Sequence, residues 1–430
     1  MIFMKKKYVF GVILSLVFVV LGCQMATEEE PVRLSFVNGW GGNQYEHSVM
    51  QGIFEDFDAQ NEDIILSSQP SSDSSIAIEK ANDMLALDEM PNIVSTHGQS
   101  FYVENAMKRG KLLDLMPYLE NDPEFKEQIH PLVLEVWTNE DGSIYTLPDV
   151  LEVMGYWYNK TYFIEAGIVD ENGGVALPET WEEFYQVCEK LEAWNQKSGK
   201  LKAVYALETA QVVENLFFAR LGGESAEGLH MTEKIPESYD TEAFRNVVKD
   251  FSNIYKYSEN VDNLEDARQY FAEGSTAMYF NGAWESGIIR TSGRSDEISY
   301  ANYPTNYGAM LSYVSPSSGY VIYDSPDEME NEAAVRFLKY MLSREIQTEI
   351  ATKTGQAPSN LQVDNQIIAN DYPELGQALE TIHSADIQLK SIASVWNSEA
   401  IELILESIEK ACVSDAELEK LIENLEATIE

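Results

Sequence analysis

"DGSIYTLPDVLEVMGYWYNKTYFIEAGI", residues 141–168, decides how the chain is read. Pro148 fixes its own φ and biases Leu147 towards extended geometry. The run 151–158 then reads as a strand. Strand and helix signals alternate on both sides of it. Val32–Val37 is an alternating strand, and shorter strands are expected at 63–67, 92–96, 276–280 and 319–323. Between them lie helices. Thr180-Trp181-Glu182-Glu183 is a capping box, followed by Phe184, Val187, Leu191 and Trp194 at helical spacing. Ser414-Asp415-Ala416-Glu417 repeats the device before Leu418, Leu421, Leu425 and Ile429, and Ile401, Ile404 and Ile408 mark another helix. Strands separated by helices indicate an α/β protein, with crossover units and a largely parallel sheet.

The chain opens with Lys5-Lys6-Lys7, an apolar run from Tyr8 to Leu21, and Gly22-Cys23. A basic start, a short apolar segment and a small residue before the cut form a secretory signal. The run is shorter than the ~20 residues a spanning helix needs. Val20-Leu21-Gly22-Cys23 resembles the bacterial lipobox. That resemblance implies a signal peptide at 1–22, cleavage before Cys23, a diacylglycerol on its sulfur and a polar tether at 23–30. Composition is globular, with 44% hydrophobic residues and a length suited to two domains. The formal net charge is −43, and loss of Lys5, Lys6 and Lys7 makes it more negative. Such a surface repels phosphate backbones, so no nucleic-acid partner is expected. Cys188 and Cys412 are expected as two buried free thiols, with pairing open only if their Cα atoms lie within ~7 Å. No Cys/His spacing resembles a zinc site, and no metal or cofactor is expected.

The order of segments resembles the family 1 extracellular solute-binding proteins, the maltose-binding-protein-like receptors of carbohydrate ABC importers. "IFEDFDAQNEDIIL" (53–66) resembles the family's first helix and second strand, and "MPNIVSTHGQSFYVENAMKRGKLLDLMPYL" (90–119) its next strand, loop and turn. Residues 141–168 resemble "dGkiYglP…lyYNkdlFekaGi", followed by P-x-T-W-x-E-F at Pro178–Phe184. "FAEGSTAMYFNGAWESG" (271–287) and "AAVRFLKYMLSREIQTEIATKTGQAPSN" (333–360) complete the series. The resemblance implies a two-lobe periplasmic-binding-protein fold of type II, with lobes joined by hinge crossovers. Lobe 1 would be 31–148 plus 318–355, and lobe 2 would be 151–315 plus 359–430. Crossovers would fall near 148–151, 315–318 and 355–359. It also implies a non-enzymatic, monomeric receptor on the outer face of the plasma membrane, held by its lipid. Its partners would be a carbohydrate and the permease subunits, with their ATPase contacted indirectly.

Ligands of open α/β sheets bind beyond the carboxyl ends of strands. A sugar offers a flat C–H face to an aromatic ring and hydroxyls to planar polar groups. Trp40 and Gly41 follow the first strand, and His97 and Gln99 follow 92–96. Asp149 and Ser318 sit at two crossovers, Trp284 follows 276–280, and Trp396 precedes a helix. Trp284 and Trp396 match family positions that commonly stack sugars, and Glu208 and Gln211 align loosely with lobe-two contributors. Trp40 on lobe 1 is expected to oppose Trp284 and Trp396 on lobe 2. Tyr303, Tyr307 and Tyr313 are candidate rim aromatics, whereas Trp137, Trp157, Trp181 and Trp194 are assigned to structure. Other readings remain: the same fold binding a polyamine, peptide or other small solute, or a surface glycoside-acting enzyme, whose two carboxylates spacing alone does not exclude. No G-x-S-x-G, H-E-x-x-H, Walker loop or post-strand G-x-G-x-x-G occurs.

Overall fold

The computed structural model describes residues 30–429. The signal peptide, Cys23 and the tether before residue 30 lie outside the described residues.

The first lobe is built on a sheet of order β11-β3-β1-β2. Strand β1 (Val32–Asn38) pairs in parallel with β2 (Ile64–Pro70) and β3 (Ile93–Ser95), while β11 (Tyr320–Ile322) joins β3 antiparallel. Helix Tyr45–Gln60 covers it because Met50, Ile53, Phe54 and Phe57 recur on one face and are all buried. Phe36 meets Phe54 edge-on at 5.0 Å and Phe337, from helix Glu328–Met341, at 5.1 Å. Each such ring contributes about 1.5–3 kcal/mol through burial.

The second lobe carries a sheet of order β7-β6-β8-β5-β9. Its strands are β5 (Tyr156–Asn159), β6 (Tyr205–Glu208), β7 (Ser258–Val261), β8 (Met278–Phe280) and β9 (Ile298–Ala301). Helix Trp181–Ser198 starts at the expected capping box: Glu183 N–H donates to Thr180 Oγ1 at 3.2 Å and Thr180 N–H to Glu183 Oε2 at 3.1 Å. Its Trp181, Phe184, Val187, Cys188 and Leu191 are buried. Cys188 and Cys412 are both free and buried.

A third sheet, of order β12-β4-β10-β13, holds the crossing segments together. Strand β4 (Val150–Met154) pairs antiparallel with β10 (Leu311–Pro316) and β12 (Ala357–Pro358), and β10 pairs in parallel with β13 (Ile387–Leu389). The segments 148–151, 315–318 and 355–359 therefore run side by side. The sheets are mixed, not largely parallel: half of the strand pairings are antiparallel. Strand β10, which returns the chain towards the first lobe, runs against β4.

The run 151–158 is two strands in two sheets, divided at Gly155. A Cβ on Gly155 would lie 2.3 Å from the Ala301 carbonyl oxygen and 2.6 Å from the Tyr300 hydroxyl. Only glycine lets β4 hand the chain to β5 at that approach. Gly155→Ala is expected to cost at least about 1–3 kcal/mol, the usual toll of overpacking. Gly52→Ala, inside helix Tyr45–Gln60 with nothing within 4 Å of its Cβ, is the control. It should stabilise by about 0.4–1 kcal/mol. Urea unfolding of both variants checks the opposite signs.

Candidate functional site

A cavity of about 240 Å³ opens where the crossing sheet meets both lobes. From the first lobe come Gly98, helix Ser100–Lys108, and Trp137, Asn139 and Tyr145. Glu152 of β4 and Ser315, Pro316, Ser317 and Ser318 at the end of β10 form its base. From the second lobe come Glu214 and Asn215, on helix Gln211–Gly222, and Ser391, Ala393 and Ser394. Trp137 is held by its indole N–H, which donates to the Ser317 carbonyl at 3.2 Å. Asn215 is held through its side-chain oxygen, which accepts from the Tyr313 hydroxyl at 2.7 Å. Ser318 Oγ is buried and has no hydrogen-bond partner in the protein.

The cavity is acidic. Burial raises the pKa of Glu152, partly offset by a hydrogen bond from Ser317 and by His97. Burial, then the neighbouring charges of Glu208 and Glu152, pushes the Glu214 carboxyl up to about 8. None of the described lining residues is Lys, Arg or His.

The expected residues divide around this cavity, and only Ser318 among them lines it. His97 and Asp149 form a network beside it: His97 Nδ1 lies 2.5 Å from Ser95 Oγ and Nε2 lies 2.9 Å from Asp149 Oδ1. The Tyr320 hydroxyl donates to Asp149 Oδ2 at 2.8 Å. Burial works to raise the pKa of Asp149, but attraction to His97 and hydrogen bonds from His97 and Tyr320 outweigh it and hold the carboxyl below its ordinary value. Trp40 stands edge-on to His97 at 5.0 Å and lines a gap of about 10 Å³ with His97 and Asp149. Gly41 is exposed, its N–H donating to the Ser71 carbonyl at 2.7 Å. Gln99 is half-buried and precedes helix Ser100–Lys108. Trp284 lines another gap of about 10 Å³ that shares Asn215 with the main cavity. Its loop is fixed by Asn281, which donates to Glu285, and by Arg268, bidentate to Glu285 at 2.8 Å for both bonds.

Two expectations need correction. Trp396 is core: it is 3% exposed, its indole N–H donates to the Met231 carbonyl at 3.0 Å, and Phe218 and Tyr239 pack edge-on against it. It therefore offers no open face to oppose Trp40. Glu208 is also buried, accepting from Ala210 N–H at 3.1 Å and Val212 N–H at 3.0 Å at the start of a helix. Of the rim candidates, Tyr303 and Tyr313 are buried and Tyr307 is exposed. Conversely Trp137, read as structural, lines the cavity. Glu152 and Glu214 were missed as well. Each is the lone acid of a mainly apolar element, "VLEVM" and "QVVENLFFARLG", and that incongruity is a usable signal.

Ser95, His97 and Asp149 follow one another as a serine–histidine–aspartate relay does, but the setting differs from a nucleophile's. Ser95 is 1% exposed, and the gap beside His97 and Asp149 has room for about one water. The network instead ties the loop after β3 to the 148–151 crossing and to β11. Among the described residues no group of three or more His, Cys, Asp or Glu could hold a metal ion, and no helix is long and apolar enough to cross a membrane.

Comparison with known proteins gives consistent results. A family model for bacterial extracellular solute-binding proteins matches residues 52–377. The sn-glycerol-3-phosphate-binding periplasmic protein of Brucella abortus is 22% identical over 289 residues, 65% of this chain and 63% of that one. The multiple sugar-binding protein of Streptococcus mutans is 20% identical over 273 residues, 60% of this chain and 59% of that one. The chain thus spans about 60% of the length of the curated relatives it matches. A Streptococcus pneumoniae solute-binding protein, solved with the blood group A-trisaccharide, superposes with a TM-score of 0.74 at 21% identity, covering 92% of this chain and 99% of that one.

Two outcomes are expected. Folded Glu214 keeps a proton up to about pH 8 that the unfolded chain releases near the ordinary glutamate value. Its contribution to stability therefore falls as pH rises through that window. Glu214→Gln, neutral throughout, should lose less melting temperature than the wild type between pH 5 and pH 8.5; parallel curves would contradict the assignment. Trp396→Ala should cost about 3–5 kcal/mol in denaturant unfolding, as for other large core deletions.

Proposed function

The chain belongs to the bacterial extracellular solute-binding protein family, and from that premise we propose that it is the ligand receptor of an ABC importer, taking a saccharide into the cavity between its lobes. The observation that carries this reading is the lining of that cavity. Two aromatic side chains, Trp137 and Tyr145, accompany serine hydroxyls, Asn139 and Asn215, drawn from both lobes. An aromatic face and hydrogen-bonding edges are what a pyranose requires. The sugars named for the Streptococcus mutans and Streptococcus pneumoniae relatives support the same class. The phosphate ester named for the Brucella relative does not suit this lining, because an anion beside Glu152 and Glu214 with no cation would go uncompensated.

The working unit is a pair of lobes, 31–148 plus 318–355 and 151–315 plus 359–430. Ligand contacts on both sides favour the closed form. Permease subunits would read that form, with the ATPase engaged through them. The lipobox at Val20–Cys23 supports a lipid anchor on the outer membrane face, and the family supports a binding role over a catalytic one. Trp284, whose small gap shares Asn215 with the cavity, is the tryptophan of the second lobe best placed to meet a longer oligosaccharide if the gap widens.

A thermal-shift screen tests the reading. One or more saccharides should raise the melting temperature in a concentration-dependent way. Trp137→Ala should weaken the best of them about tenfold, or about 1.4 kcal/mol. A shift with sn-glycerol 3-phosphate and none with any saccharide would overturn it.

A further inference from the structure

Among the described residues the three fully buried acids are each compensated. Asp149 has His97 and Tyr320, Glu285 has Arg268, and Glu208 has two backbone N–H groups. Glu214 lines the cavity and has no ion pair or side-chain hydrogen bond among the described residues. Glu152 has the Ser317 hydroxyl and the influence of His97, whose ion pair is with Asp149. The two stand on different elements, β4 and helix Gln211–Gly222, close enough that the charge of Glu152 opposes ionisation of Glu214. The third lining acid, Glu104, pairs with Lys108 at 3.6 Å at the exposed rim. In the same cavity, Ser318 is 3% exposed and its Oγ meets no protein partner. Two carboxyl groups and a buried hydroxyl thus line one space, and among the described residues no Lys, Arg or His lines it with them.

We propose that the ligand of this cavity carries a protonated amine, which donates to Glu152, Glu214 and Ser318 Oγ. The inference rests on the reading of this cavity as the ligand seat. A primary ammonium has three donors and no acceptor, and its charge beside Glu214 would lower that carboxyl's raised pKa and release its proton to solvent, leaving an acceptor. Its hydrogen bonds to carboxylate are of the strong, charge-assisted kind. Trp137 and Tyr145 can stack the body of the molecule. An amino sugar supplies both features in one ring, and a linear polyamine supplies the ammonium alone. The sugar hydroxyls also use Asn139, Asn215 and the serines, which favours the amino sugar.

Isothermal titration calorimetry separates the cases. The probes are glucosamine oligomers with free amines, their N-acetylated counterparts, glucose oligomers of equal length, and spermidine, each against the wild type, Glu214→Gln and Glu152→Gln. The free-amine oligomers should bind at least about tenfold tighter than the acetylated ones, about 1.4 kcal/mol, and either substitution should abolish that preference. Equal binding of acetylated or neutral oligomers, unmoved by the substitutions, would overturn the amine while leaving the saccharide reading intact. Tight spermidine binding with no saccharide binding, lost in Glu214→Gln, would uphold the amine and overturn the saccharide. Failure of every probe to bind would overturn both.

Discussion

All passage between the lobes runs through one narrow sheet, and the rest of the molecule is arranged around that confinement. Strands β12, β4 and β10 lie edge to edge, so three separate lengths of chain cross in contact. Their spacing is set by backbone approach: a Cβ on Gly319 would sit 2.2 Å from the Leu147 carbonyl oxygen and from Pro148 Cα. Asp149 then fixes the crossing to its surroundings, bonded on one side to His97 and on the other to Tyr320. Removing one partner of a buried charged group costs about 3–5 kcal/mol.

The lobe surfaces that face each other across the cavity are joined more lightly. Lys390, after β13, meets Glu135 on helix Pro131–Trp137 at 2.6 Å, but both side chains are more than a third exposed. An exposed pair of this kind contributes about 0–1 kcal/mol. Under the proposed function, an exposed pair of this strength would leave a ligand able to bias the arrangement of the lobes. The cavity draws Glu152 from the crossing strand and Glu214 from the second lobe.

Much of the architecture was legible because it is written in local signals. The capping box at Thr180, the face of helix Tyr45–Gln60 and the Pro148 crossing each depend on a few neighbours in sequence. The split of 151–158 at Gly155 was not legible, since the atoms that forbid a side chain there belong to Tyr300 and Ala301. The candidate site was harder still. Trp396 and Trp137 look alike as sequence, each an aromatic beside a helix. Which is sealed and which lines the cavity depends on Phe218 and Tyr239 packing over the first and on Ser317 anchoring the second. Glu214 gains its raised pKa first from burial and then from Glu208 and Glu152, both brought near it by the fold as a whole.

Cys188 and Cys412 belong to the same hydrophobic cluster of the second lobe, 0% and 8% exposed, and are unpaired. Burial raises the pKa of both thiols, so each is slow to ionise as well as hard to reach. An alkylating reagent added to the intact protein would find neither of them readily. Labelling would proceed as that lobe opens, and its time course would record the life of one half of the molecule separately from the other, with no engineered reporter.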